Sequence, residues 1–237
     1  MLIKTKAVVL NAFRYQEKSL IVKCFTKDFG LKTYFVKNAF SKRNKNFNSA
    51  YFQPLNQLHI EAFHKEKGTM EYLREIKLTY AYQSIPFDFY KNSIGIFLAE
   101  ILSNSIKVEQ SDSTLYLFIE TALVWLDEHD FNADFHLWFL LNLSKYLGFF
   151  PDTSNKTAVF FNPIEGCYTD VNTPDCYTKY ESHLFRKLCA ISIQNSELRF
   201  TNEERRIVLK LLLTYYDLHL VGFKKVKSLE ILPELFR

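Results

Sequence analysis

The chain has 237 residues, of which 48% are hydrophobic, 16% aromatic and 24% charged, enough for packed cores and against a disordered or fibrous class. A formal net charge of +4 conceals an asymmetry: residues 1–80 carry 15 Lys and Arg against 6 Asp and Glu, and the remainder carries 15 against 20. No apolar run approaches the roughly 18 residues of a membrane span, and no long apolar segment follows Met1-Leu2-Ile3-Lys4-Thr5-Lys6, so neither a membrane nor a signal peptide is expected. Cys24, Cys167, Cys176 and Cys189 read as reduced thiols of a cytoplasmic protein.

The charge asymmetry suggests a basic front domain, 1–80, and an acidic rear domain, 81–237. In the front domain, Ile3 to Phe13 is extended in character, and Ser19 to Thr26 is rich in β-branched and aromatic residues. Asp28-Phe29-Gly30 turns the chain into a third strand, Leu31 to Val36, completing a hairpin. Ser41 to Asn48 is too polar for a core element and reads as an exposed loop. Leu55 to Phe63 is a fourth strand. Thr69 to Leu78 is a fifth, with a helix as the alternative because Glu71, Leu73, Arg74 and Glu75 are good helix formers. Five short strands with a basic loop fit an OB-type barrel, with a small open sheet as the competitor.

From Pro86 the periodicity turns helical. Ile94, Phe97, Leu98, Ile101 and Leu102 recur at three- and four-residue spacing. Asp112 is placed to cap a second helix, and Asn132 or Asp134 a third, which Gly148 ends. An irregular insertion at about 152–177 holds a short hairpin near Val159 to Tyr168. A fourth helix spans Tyr180 to Ile193. Thr201-Asn202-Glu203-Glu204 is a capping box that starts a fifth, running to about Val221. The fold class is therefore α+β, a five-stranded OB-type β-barrel followed by an all-α domain.

The stretch from Lys32 to Lys45 interleaves cations with aromatic rings, a composition suited to holding phosphates and stacking bases. Arg14, Lys18, Lys23, Lys32, Lys37, Lys42, Arg43 and Lys45 are the candidate phosphate contacts, which position a strand without reading its sequence. Phe25 and Tyr34 are the candidate stacking rings, each with burial in the core as the alternative. Strand alternation puts Lys23, Phe25 and Lys27 on one face. For catalysis the sequence offers little. It has no G-x-S-x-G, P-loop, G-x-G-x-x-G or H-E-x-x-H. The acid and histidine cluster Asp127-Glu128-His129-Asp130, near Asp134 and His136, sits where turn residues are expected. No enzyme activity, cofactor or metal is expected.

Several stretches carry a resemblance that spans nearly the whole chain. They are Lys6-Ala7-Val8-Val9-Leu10, Tyr15-Gln16-Glu17-Lys18-Ser19-Leu20, Phe25-Thr26-Lys27-Asp28-Phe29-Gly30-Leu31, the basic loop near Ser41-Lys42-Arg43, Tyr215-Tyr216-Asp217-Leu218-His219-Leu220, and Lys227-Ser228. In their order and spacing the chain resembles the RecO family of bacterial recombination mediators. The resemblance implies an N-terminal OB domain that binds single- and double-stranded DNA and a helical C-terminal domain. It also implies strand annealing and help in replacing single-strand-binding protein (SSB) with RecA, with RecR and the acidic SSB tail as partners and a nucleoid-associated location. Many members carry a zinc site of two C-x-x-C pairs in the rear domain. Here Asp152-Thr153-Ser154-Asn155-Lys156-Thr157 has no cysteine, and Cys167, Cys176 and Cys189 are too widely spaced, so packing through Phe160, Phe161 and Tyr168 is expected instead. A pocket for the SSB tail needs apolar walls and a cationic rim. Arg186, Lys187, Arg205, Arg206 and the lysines of 224–227 are the choices. An OB-type RNA-binding module and a protein-interaction scaffold are the competing functions.

Overall fold

A computed structural model describes residues 1–40, 48–64, 70–107, 110–193 and 199–230. Its chain forms two compact units, Met1–His129 and Asp130–Arg237. The first contains five strands: β1 (Leu2–Tyr15), β2 (Ser19–Thr26), β3 (Gly30–Val36), β4 (Gln57–Phe63) and β5 (Glu71–Tyr80). They close into a barrel in the order β1-β2-β3-β5-β4, with β3 and β5 parallel and the other pairs antiparallel. This is the OB-type barrel, and β5 is a strand rather than a helix because its register against β4 supplies Ile76 to the interior.

Closure leaves room inside for one face of each strand. Val9, Val22, Cys24, Tyr34, Leu58, Ile60, Ala62 and Ile76 fill it, and Phe52 joins them from a 3₁₀ turn at Ser49–Phe52. The barrel pairing has three register shifts, one of them at the end of β5 between Leu78 opposite Leu58 and Tyr80 opposite Gln57, and the other two set which residues of the outer row point outward. In β1 the register passes from Val9 opposite Cys24 to Asn11 opposite Lys23, so Leu10 is an extra residue. In β5 it passes from Glu75 opposite Glu61 to Leu73 opposite Ala62, which makes Arg74 the extra one. After each bulge the alternation is inverted.

Two helices complete this unit, α1 (Phe89–Ser105) and α2 (Ser113–Glu128). Asp88 and Asp112 cap them through the N–H groups of Lys91 and of Thr114 and Leu115. One side of the barrel is covered by them: α1 lies against β1, and the Tyr116 ring of α2 is 6.2 Å from that of Phe25. Asp127, near the end of α2, fastens the arrangement. Its carboxylate accepts from the N–H groups of Gln83 (2.8 Å), Ser84 (2.8 Å) and Ile85 (2.9 Å) and from the Tyr80 hydroxyl (3.2 Å). Buried Lys91 donates to the carbonyls of Asp127 (3.1 Å) and His129 (2.6 Å), placing an ammonium at the negative end of α2.

The second unit holds α3 (Phe135–Tyr146), a hairpin of β6 (Phe160–Asn162) and β7 (Cys167–Thr169), α4 (Lys179–Cys189) and α5 (Asn202–His219). Gly148 follows α3 at φ 86°, and the Thr201–Glu204 capping box opens α5 as expected. The fourth helix is shorter than its periodicity suggested. Tight bonds from Ala190 N–H to Lys187 O and from Ile191 N–H to Leu188 O end it at Cys189. Phe161 holds the irregular segment, with its ring 4.5 Å from that of Phe185, 5.0 Å from Tyr168 and 5.7 Å from Tyr215. Gly166, at φ 67°, leaves the space where a Cβ would meet the Tyr215 hydroxyl at 2.8 Å.

Asp127→Asn is expected to cost about 2 kcal/mol in urea denaturation, since backbone donors lose a charged acceptor. Burial opposes the Asp127 charge, but the bonds from Gln83, Ile85, Ser84 and Tyr80 outweigh it and hold the carboxyl below its ordinary value. A depressed folded pKa gives stability that is present above the unfolded value of about 4 and is lost as pH falls through the folded one. Wild-type stability should therefore drop more steeply than that of Asp127→Asn on acidification below about pH 4.

Candidate nucleic-acid interface

The cations singled out in the sequence separate once the barrel closes. Lys18, in the β1–β2 turn, and Lys37, just past β3, are exposed and line one groove of about 560 Å³ with Gln16, Glu17, Phe35 and Tyr72. Arg14 is exposed beside them. Its guanidinium donates to the Glu17 carbonyl at 2.6 Å and lies 5.1 Å from the centre of the Phe40 ring. Lys32 is half-buried, opposite inward-facing Cys24 in the β2–β3 register. Its charge acts on His64, whose pKa burial lowers and Lys32 lowers further, against the pull of Glu71. Lys23 belongs to the covered side: its ammonium donates to the Ser103 carbonyl of α1 at 3.3 Å. Lys42, Arg43 and Lys45 lie outside the described residues.

Both expected stacking rings are corrected by the structure. Tyr34 is 0% exposed, pointing into the barrel with its hydroxyl 3.1 Å from His64 Nε2. Phe25 shares the outward face with Lys23, as alternation requires, but α1 and α2 cover that face and leave it 1% exposed. Neither ring presents a surface to a base.

Other rings stand exposed on the outside of the barrel. Pairing aligns Phe13 with Ile21, Ile21 with Phe35, Phe35 with Tyr72 and Tyr72 with Phe63. This row crosses all five strands on the outside of the barrel. Phe13, Tyr72 and Phe63 are 50%, 47% and 48% exposed, and Phe35 is half-buried. Tyr15 joins it, its ring 6.0 Å from Phe35 and edge-on, as is Tyr72 at 6.0 Å on the other side. Tyr34-Phe35-Val36 is apolar without alternation, so sequence alone did not separate inward Tyr34 from outward Phe35. The row places π faces beside Lys18 and Lys37, the pairing of rings and cations that a single-stranded nucleic acid uses.

Similarity to known proteins agrees with this architecture. Residues 1–82 match the family model described as Recombination protein O N terminal, and residues 86–230 match Recombination protein O C terminal. The chain belongs to the RecO family. Proteins named DNA repair protein RecO are 50% identical in Flavobacterium psychrophilum, 48% in Flavobacterium johnsoniae and 40% in Christiangramia forsetii, each alignment covering 100% of both chains.

In the second unit of this RecO-family chain, the cations considered for a tail-binding pocket divide as sharply. Arg186 donates to the Ala158 carbonyl at 2.7 Å and lies 3.6 Å from the centre of the Tyr168 ring. Lys187 pairs with Glu204 at 3.2 Å, and buried Arg205 pairs with Asp134 at 3.2 Å. These three serve the fold. Arg206, Lys224 and Lys225 instead line a groove of about 540 Å³ whose walls include Leu209, Leu213, Phe223 and Val226. Among the described residues, no group of three or more His, Cys, Asp or Glu is placed to hold a metal ion, and no helix is long and apolar enough to cross a membrane.

If Lys18 and Lys37 each contact phosphate, replacing both with alanine should flatten the plot of log affinity against log salt on a single strand by about 1.4, at about 0.7 per contact. Lys23→Ala should leave that slope unchanged and lower thermal stability. An unchanged slope in the double variant would remove both lysines from the interface.

Proposed function

We propose that this chain is a non-enzymatic recombination mediator in DNA repair, with residues 1–80 as its nucleic-acid-binding domain. It binds single- and double-stranded DNA without sequence preference, and its cations reduce the repulsion between two strands as they anneal. With RecR it helps load RecA onto strands coated by SSB. The observation that carries this reading is the exposed row of rings beside Lys18 and Lys37 on the barrel of a RecO-family chain. Phosphate contacts and stacking are both indifferent to base identity, and neither needs a nucleotide cofactor.

The partner side of the reading rests on the groove of α5 and residues 223–229. Its apolar floor and cations match an acidic tail that ends in apolar side chains, which is the chemistry of the SSB tail. Charge complementarity would bring the tail in, and the leucine and phenylalanine walls would hold it.

Annealing of complementary oligonucleotides, naked and SSB-coated, tests both parts. Wild type should accelerate both reactions. Lys224→Glu with Lys225→Glu should slow the coated reaction by about tenfold, equivalent to 1.4 kcal/mol, and leave the naked one unchanged. Equal rates for wild type and variant on coated strands would exclude this groove. Tighter binding of RNA than of DNA in direct competition would favour an RNA-binding module over a mediator.

A further inference from the structure

The outer row of the barrel is chemically uniform. Phe13, Ile21, Phe35, Tyr72 and Phe63 are successive partners across β1, β2, β3, β5 and β4, and Leu2 continues the row opposite Phe63. All are exposed or half-buried. Strands about 4.8 Å apart carry the row over about 19 Å from Phe13 to Phe63. Side chains that read a base through its hydrogen-bonding edge are amides, carboxylates, hydroxyls and the guanidinium and ammonium groups of Arg and Lys. The row contains no amide, carboxylate, guanidinium or ammonium group, and its side-chain polar atoms are the hydroxyls of Tyr72 and the adjoining Tyr15. Its cations stand at one side, Lys18 and Lys37 in the groove that Phe35 and Tyr72 also line.

We infer that this row holds an unpaired strand by the faces of its bases and leaves their pairing edges open to a complementary strand. The inference rests on the DNA-binding reading above and adds to it a substrate state and a direction. Base faces are available in a single strand and are covered by neighbouring pairs in a duplex. The row therefore favours the unpaired reactant, while the cations hold phosphates of either form. When a second strand pairs with the held bases, stacking within the new duplex replaces stacking on the protein, and the row lets go. Annealing then proceeds on a surface that competes with neither the pairing edges nor the product. A site of about four nucleotides fits the row, the low end for an OB barrel.

The test uses the full chain and fluorescence anisotropy with three probes of equal length: oligothymidine, an abasic strand with the same phosphates, and a duplex. Wild type should bind oligothymidine at least about tenfold more tightly than the abasic strand, the weight of a single stacked base. Phe35→Ala with Tyr72→Ala should bind oligothymidine no better than the abasic strand, keep its duplex affinity and anneal naked strands more slowly. Tyr72→Ala alone, at a half-exposed position, should show a smaller loss in the same direction and guards against a folding defect in the double variant. Equal wild-type affinity for oligothymidine and the abasic strand would overturn the inference and leave phosphate-driven DNA binding standing. Failure of wild type to bind any probe at low salt would overturn the DNA-binding reading and the inference with it.

Discussion

A closed barrel admits one face of each strand, and a single inserted residue decides which face that is. Leu10 and Arg74 are those residues here. Were β1 regular, Phe13 would share the inward side with Val9. The bulge sends Ala12 inward and Phe13 out to solvent. In β5 the second bulge keeps Ile76 inside while turning Tyr72 outward and Glu71 in, where it is 4% exposed opposite Tyr34. The bulges thus set the alignment of the outer row, and the candidate interface is a consequence of strand register more than of loop sequence.

The other half of the barrel surface is withdrawn from use by helices, and a buried carboxylate fixes them there. Asp127 satisfies three consecutive backbone donors after β5, and Lys91 crosses to the end of α2. The same packing that encloses Phe25 also ties Lys23 to Ser103. Among the described residues this leaves Lys18 and Lys37 as the cations of the open groove, with Arg14 braced beside it. The candidate interface therefore begins where the covered side ends.

Much of this was legible in the sequence, and the limits have physical causes. Ser19–Thr26 emerged with the bounds expected of it, because β-branched residues run between a polar turn and Gly30. Asp112 and the Thr201–Glu204 box marked helix starts through local hydrogen bonds that depend on a few neighbouring residues. Side-chain direction in the strands was not legible, because an apolar run such as Tyr34-Phe35-Val36 carries no period and a bulge leaves no distinct residue signature. Burial of Phe25 by α1 and α2 is a tertiary fact that the alternation of β2 cannot contain. In the second unit, Arg186, Lys187, Arg205 and Arg206 look alike as cations. The partners of the first three, Tyr168, Glu204 and Asp134, are far off in sequence and could not be read from it.

The central claim is that a single strand lies across the outer row at the open side of the barrel. Photocrosslinking with an iodouracil-substituted strand, followed by mass spectrometry of the adducts, tests it most directly. The account predicts adducts at Tyr15, Phe35 and Tyr72, lost when excess unlabelled single strand is added. Adducts confined to residues 130–237, or to the helices that cover Phe25, would contradict it.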